Sequence, residues 1–213
     1  MSKPKSDSTY HHGNLRSALI KATLELIAEK GINAFTIREI AKRAGVSHAA
    51  PYRHFKDKED ILFAVAKEGF DMMVAETKKR STKYPDDPFA RYSISGISYI
   101  DFAISHPSHY RVMFSSGENI RTFPDELVFS STESFKLLID TIRECQEKNI
   151  IKQGDTYEFA LASWAIVHGY AKLFIDGFID DNEDLFQNKK EKLKYIVAEM
   201  LYSGLRPESN ENK

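Results

Sequence analysis

Apolar residues recur along this 213-residue chain at intervals of three and four, the period of an amphipathic helix. No alternating strand pattern survives beyond the short Ile150-Ile151 connector. Leu15, Ala18, Leu19, Ala22, Leu26 and Ile27 predict a first helix that starts after Asn14 as cap and stops at Gly31. Thr36 and Glu39 then form a capping box, flanked by Phe35 and Ile40 at the spacing of a hydrophobic staple. The second helix carries Ile37, Ile40, Ala41 and Ala44 on one face until Gly45 turns the chain. Ser47 can cap a third, short helix that ends at an aromatic anchor, Phe55. Pro51 complicates it, because with Ser47 as cap the proline forfeits a helical hydrogen bond and crowds the Ser47 carbonyl. Either His48 is the cap instead, or the first turn is loosened.

Asp57 caps a long fourth helix, Lys58 to about Arg80, through Leu62, Val65, Ala66 and Met73. After the turn at residues 84–88, Pro88 opens a helix that Pro107 stops at His106. A short helix from Ser108 to Phe114 precedes a loop, Ser115–Pro124, and further helices are predicted over Asp125–Asn149, Thr156–Asp176 and Asn188–Ser203. The fold class is therefore all-α, with a three-helix head over residues 14–57 and a larger helical body over 58–206. Residues 1–13 read as a flexible arm and 207–213 as a polar tail.

Charge divides at the same boundary. Residues 1–60 carry 11 Lys/Arg against 7 Asp/Glu, while the remainder is acidic and the whole chain has a net charge of −1. A basic head on an acidic body suits a head that meets phosphates, although such an excess is also compatible with ordinary solvation. The single Cys145 excludes an internal disulfide and points to a reducing, cytoplasmic setting, where a buried inert thiol is the simplest reading. The Ser/Lys/Pro-rich start has no apolar core, so neither signal peptide nor anchor is expected. His168, Lys172 and Asp176 interrupt the most apolar stretch, Leu161–Ile179, so no membrane partner is expected.

The segment from Thr36 to Lys58 resembles the helix-turn-helix of the TetR (tetracycline-repressor) family of transcriptional regulators. The matching residues are Thr36, Ile40, Ala41, Ala44-Gly45-Val46-Ser47, the Tyr52-Arg53-His54-Phe55 run and Lys58. Pro51 departs from the pattern, which usually has an aliphatic residue there, and this bears on the aim of His48, Ala49 and Ala50. In the body, Trp164-Ala-Ile-Val-His168-Gly169 is similar to a Trp-x-x-x-His-Gly signature in the ligand-binding domains of one branch.

The resemblance implies that the second helix of the motif enters the major groove of double-stranded DNA. It further implies that Thr36, Ser47, Tyr52, His54 and Lys58 contact phosphates while His48 and Ala49 face base edges. The chemistry agrees, since hydroxyls, an amine and a helix N-terminus fix register on a backbone without reading sequence. Ala49 can meet only a thymine methyl, whereas His48 can exchange a hydrogen bond with a purine edge. Packing alone would also account for Tyr52, and capping for Thr36 and Ser47. Arg53 reads as a solvated residue outside the phosphate set.

Nothing in the chain supports catalysis. It has no Gly-rich phosphate loop and no Gly-x-Ser-x-Gly elbow. Pro107 breaks the register between His106 and His109, and neither they nor His11-His12 find further ligands, so no metal and no cofactor is expected. The body is instead rich in aromatics on helical faces, mostly core material. Tyr99, Phe102, Tyr110, Phe114 and Trp164 are the candidate lining of a pocket for a small apolar effector, with His168 beside Trp164 at i,i+4. His168 equally suits a core histidine that locks two helices.

A homodimer is expected on the last two long helices. Leu193, Ile196, Val197, Met200 and Leu201 form an apolar stripe, and Ala160, Ala162, Ala165 and Gly169 offer small surfaces for close approach. The leading expectation is a dimeric, ligand-released repressor of a palindromic operator. A DNA-binding protein whose body only docks other proteins, and a helical small-molecule-binding protein or enzyme with a structural head, are the competing functions.

Overall fold

The computed structural model describes residues 12–115, 125–179 and 190–207, and among them holds eight α-helices, one 3₁₀ turn and no strand. The head comprises α1 (His12–Lys30), α2 (Ile37–Arg43) and the 3₁₀ turn Pro51–Arg53. The body comprises α3 (Lys58–Ser81), α4 (Pro88–Ser105), α5 (Pro107–Ser115), α6 (Asp125–Glu147), α7 (Thr156–Ile175) and α8 (Lys190–Leu205).

The caps explain most of these bounds. Thr36 and Glu39 make both bonds of the capping box, and the Asp57, Asp87 and Asp155 carboxylates accept from Asp60, Ala90 and Glu158. Gly45, at φ +70, closes α2: its N–H donates to the Lys42 carbonyl and that of Val46 to Ala41. This paired arrangement satisfies two end carbonyls and needs a left-handed residue.

Three expectations about elements change. α1 begins at His12, ahead of the expected Asn14 cap, so the end of the predicted arm belongs to a helix. α8 runs to Leu205, beyond the expected Ser203, while its expected start at Asn188 lies outside the described residues, as do residues 1–11, most of the 115–124 loop and residues 208–213. The third helix is not an α-helix. The Ala50 N–H reaches the Ser47 carbonyl and that of Arg53 reaches Ala50, a three-residue repeat. Pro51 enters at the first position with Ala50 as a cap that makes no side-chain bond. A proline there needs no N–H partner, so the loosened first turn removes the conflict that an α-helix capped at Ser47 would create.

One apolar core runs from head to body. It includes Leu19, Ile27, Ile40, Phe55, Ile61, Val65, Phe70, Ile100, Tyr110 and Val167, and draws on α1 through α5, α7 and Leu201 of α8. α5 wedges between α1, α3 and α4, and α3 passes from the head to contacts with α4, α5 and α6. Gly69 of α3 faces α5, where an added Cβ would lie 2.5 Å from the Met113 sulfur. A second cluster, around Tyr92, Ile142, Cys145, Ile151 and Leu205, closes the far end. Arg80 ties α3 to α4 through Asp101 at 2.6 Å, and Arg91 ties α4 to α6 through Glu144.

Candidate functional site

Two surfaces concentrate the predicted functional residues, the turn region of the head and a cavity in the body. In the head, Phe55 and Pro51 are buried and anchor the turn, which leaves Ser47, His48, Ala49, Tyr52, Arg53 and His54 exposed. Tyr52 is 55 % exposed, a high value for a large aromatic and inconsistent with a packing role inside this chain. Ala50 is buried, so of the two alanines only Ala49 is available to a partner.

Thr36 and Lys58 are partly engaged within the head. The Thr36 hydroxyl accepts from the Glu39 N–H and donates to the Glu39 carboxylate. The Lys58 ammonium donates to the Phe35 carbonyl at 2.9 Å and sits 4.0 Å over the Phe35 ring. Desolvation there lowers its pKa, against the pull of Glu39. Its remaining N–H donors are free to meet an anion.

The other cations of the head sort into two groups. Lys30 pairs with Glu39 at 2.7 Å, and Arg43 with Glu29 at 2.6 Å, both on the α1 side. The Arg43 and Lys30 contacts hold Glu29 and Glu39 below the usual carboxylate range, Glu39 at about 2. Arg38 and Lys42, one turn apart on α2, and Arg53 and Lys56 beside the turn, are exposed and outside these pairs. The i,i+4 spacing of Arg38 and Lys42 places both on one exposed side of α2, and the exposure of Arg53 is consistent with its reading as a solvated residue.

The body encloses a cavity of about 600 Å³ between α3, α4, α6 and α7, with α5 and α8 completing the wall. Tyr99, Phe114, Trp164 and His168 line it, as do Phe70, Met73, Ile100, Met113, Phe135 and Val167. Val128, Tyr157 and Leu161 are exposed lining residues and mark its mouth. Two of the six predicted residues do not reach it. Phe102 lies on the opposite face of α4, against His106. Tyr110 is 1 % exposed and stands behind the wall, where it hydrogen-bonds to residues that do line the space. The lining from α3 and α6 was not anticipated, because Met73 and Phe135 follow the same periodicity as any core face.

One end of the cavity is polar. The Tyr99 hydroxyl lies 2.7 Å from Nδ1 of His168, and the Tyr110 hydroxyl 2.9 Å from the same atom. The Trp164 indole N–H donates to Tyr99 Oη at 3.3 Å. Burial, then the nearby Lys172, lowers the His168 pKa and favours a neutral ring, while burial raises both tyrosines, Tyr110 to about 12. His168 therefore does both things weighed for it: it locks α7 to α4 and α5, and it shows part of its ring to the cavity.

On the outer face of α7, Leu161, Ala162, Ala165, Ile166, Gly169 and Leu173 form an exposed apolar strip. Met200 and Tyr195 of α8 and Phe178 extend the exposed apolar surface. Two residues expected at a dimer face belong to the interior instead: Ala160 is fully buried and Leu201 nearly so, because both point into their own protomer's core. Val197 packs inward on the cavity, Ile196 is half-buried, and the Leu193 side chain lies outside the described residues. Cys145 is fully buried, and desolvation pushes its thiol up to about 11, as expected for an inert thiol. Among the described residues no helix is long and apolar enough to cross a membrane, and no cluster has the makings of a metal site.

Comparison with known proteins places these surfaces in context. Residues 19–65 match the profile of bacterial regulatory proteins of the tetR family, and residues 95–191 match a tetracyclin repressor-like C-terminal domain. An HTH-type transcriptional regulator of Staphylococcus aureus strain MRSA252 is 22 % identical over 169 residues, spanning 75 % of this chain and 89 % of that protein. A Rhodococcus sp. RHA1 structure of unknown function superposes with a TM-score of 0.78 at 27 % identity, covering 93 % of this chain and 99 % of the other. The transcriptional regulator FadR of Bacillus subtilis, solved in complex with stearoyl-CoA, gives 0.74 at 21 % identity, with 89 % and 99 % covered.

Proposed function

Since this chain belongs to the TetR family of bacterial transcriptional regulators, we propose that it is a dimeric repressor released from a palindromic operator by a small apolar effector. The observation that carries this reading is the placement of the cavity. Its wall includes Phe70, Met73 and Val74 of α3, the helix whose first turn is docked on the head by Lys58. A guest that favours one position of α3 therefore changes the position of the head. FadR of B. subtilis, of similar fold, offers a precedent for a ligand with a long apolar acyl chain.

On the DNA side, His48 and Ala49 read base edges, while Ser47, Tyr52, His54, Thr36 and the free donors of Lys58 meet phosphates, joined by Arg38, Lys42 and Arg53. The α7 strip and α8 pair with their symmetry mates in a four-helix arrangement that sets the distance between two heads. Selection of bound sequences from random duplex DNA tests the reading. A palindromic site, bound in a salt-sensitive manner and released by hydrophobic small molecules, is the expected result. Bound duplexes without symmetry, or a body whose melting temperature no such molecule raises, favour the competing protein-docking function.

A further inference from the structure

The residues around the cavity also constrain the chemistry of its guest. The described lining contains aliphatic, aromatic and hydroxyl side chains and His168, and not one Asp, Glu, Lys or Arg. An ionised group placed there would lose its water and find no counter-charge, which is strongly unfavourable. The guest is thus uncharged along the part that is enclosed.

The polar end adds a directional requirement. An indole N–H can only donate, so Tyr99 Oη is an acceptor toward Trp164. The Tyr99 proton is then free for its shortest contact, Nδ1 of His168 at 2.7 Å, and the Tyr110 hydroxyl approaches the same atom at 2.9 Å. The pairing in which the Tyr99 hydroxyl makes its shortest bond to Nδ1, while Tyr110 can turn its proton to Tyr99 or to the His168 carbonyl, leaves Nδ1 as the bare nitrogen and the ring proton on Nε2. No side chain among the described residues bonds that second nitrogen, although the ring lines the cavity. That nitrogen is open to the cavity space, so an acceptor carried in by a guest can bond its N–H.

We infer that the effector is an uncharged, largely apolar molecule bearing one hydrogen-bond acceptor, such as a ketone, ester or lactone oxygen, which accepts from Nε2–H of His168. Tyr99, Tyr110 and Trp164 act as positioning residues that hold the ring in that tautomer. This inference rests on the cavity being the effector site.

Four probes of similar size separate the possibilities: butylbenzene, phenyl propyl ketone, 4-phenylbutyrate and 4-phenylbutylamine. Each is titrated calorimetrically into the full chain, and emission from Trp164, the only tryptophan, reports occupancy of this cavity. The ketone is expected to bind about three- to tenfold more tightly than the hydrocarbon, the range of one neutral hydrogen bond. The carboxylate and the amine should bind on the order of a hundredfold more weakly than the ketone. In His168→Phe the ketone-to-hydrocarbon ratio should collapse to about one. Equal binding of ketone and hydrocarbon by the native protein, or tightest binding of either ion, overturns the inference while leaving the cavity as the effector site. An unchanged ratio in a folded His168→Phe does the same. If no probe binds with a change in Trp164 emission, the effector-site reading falls, and this inference with it.

Discussion

His168 links two functions that are usually separate, since its Nδ1 side fastens three helices and the rest of its ring faces the cavity. Its lowered pKa makes a prediction about pH. The unfolded chain takes up a proton near pH 6.5, ahead of the folded state, so this contribution to stability is present above that value and declines as pH falls through it. His106, also lowered by burial and by His109, acts in the same direction. Melting temperatures between pH 7.5 and 5.5 should therefore drop more steeply for the native protein than for His168→Gln; parallel curves would show that this ring does not couple to folding. In the head, His48→Ala should relax selectivity at one or two base pairs of each half-site by about 1–3 kcal/mol. Tyr52→Ala should instead weaken all duplexes alike. Binding of both variants to a randomised half-site library distinguishes these outcomes. The exposure of His48 agrees with the sequence, where packing explains it least, whereas the sequence left packing open for Tyr52 until the structure showed it exposed. The failure of Phe102 and Tyr110 to reach the cavity was not legible, because a helical period says which face is apolar but not which neighbour fills it.

Helix ends were legible wherever a side chain caps them. Asp57, Asp87 and Asp155 each accept from the N–H three residues on; Asp57 is the cap the sequence predicts, and the other two cap helices that Pro88 and the pattern from Thr156 had placed there. The 3₁₀ turn lacked such a signal, since Ser47 reads as a cap in sequence but contributes its backbone carbonyl in the structure. Pro51 decided the outcome through its missing N–H, and the result is one 3₁₀ turn instead of two α-helical ones. Thr36→Ala removes the hydroxyl half of the capping box and should cost about 1 kcal/mol. Because Thr36 is itself placed on a phosphate and α2 presents Arg38 and Lys42, the same change should weaken operator binding by more than the loss of stability. Denaturant unfolding alongside a binding titration checks the comparison, and equal losses in both would place Thr36 and those cations outside the interface.

At the scale of the whole molecule, the exposed apolar strip on α7 asks for a cover. Leu173 is 48 % exposed, one turn beyond Gly169 at the C-terminal end of that strip. Leu173→Glu should convert a dimer to a monomer in sedimentation at micromolar concentration while the helical signal is retained; a native chain that already sediments as a monomer would refute the dimer. The continuity of the core from α1 through α5 into the body has a different consequence, for recombination. Exchanging the first sixty residues for those of a relative, in order to redirect the protein to another promoter, would not be a cut at a linker. The transplanted α1 would have to fit α5, whose Val112 and Met113 join Leu19 and Ile27 in one packed interior. Chimeras that keep the α1–α5 pair from a single parent should fold, whereas those that split it should inherit a mismatched seam and lose cooperativity before they lose either activity.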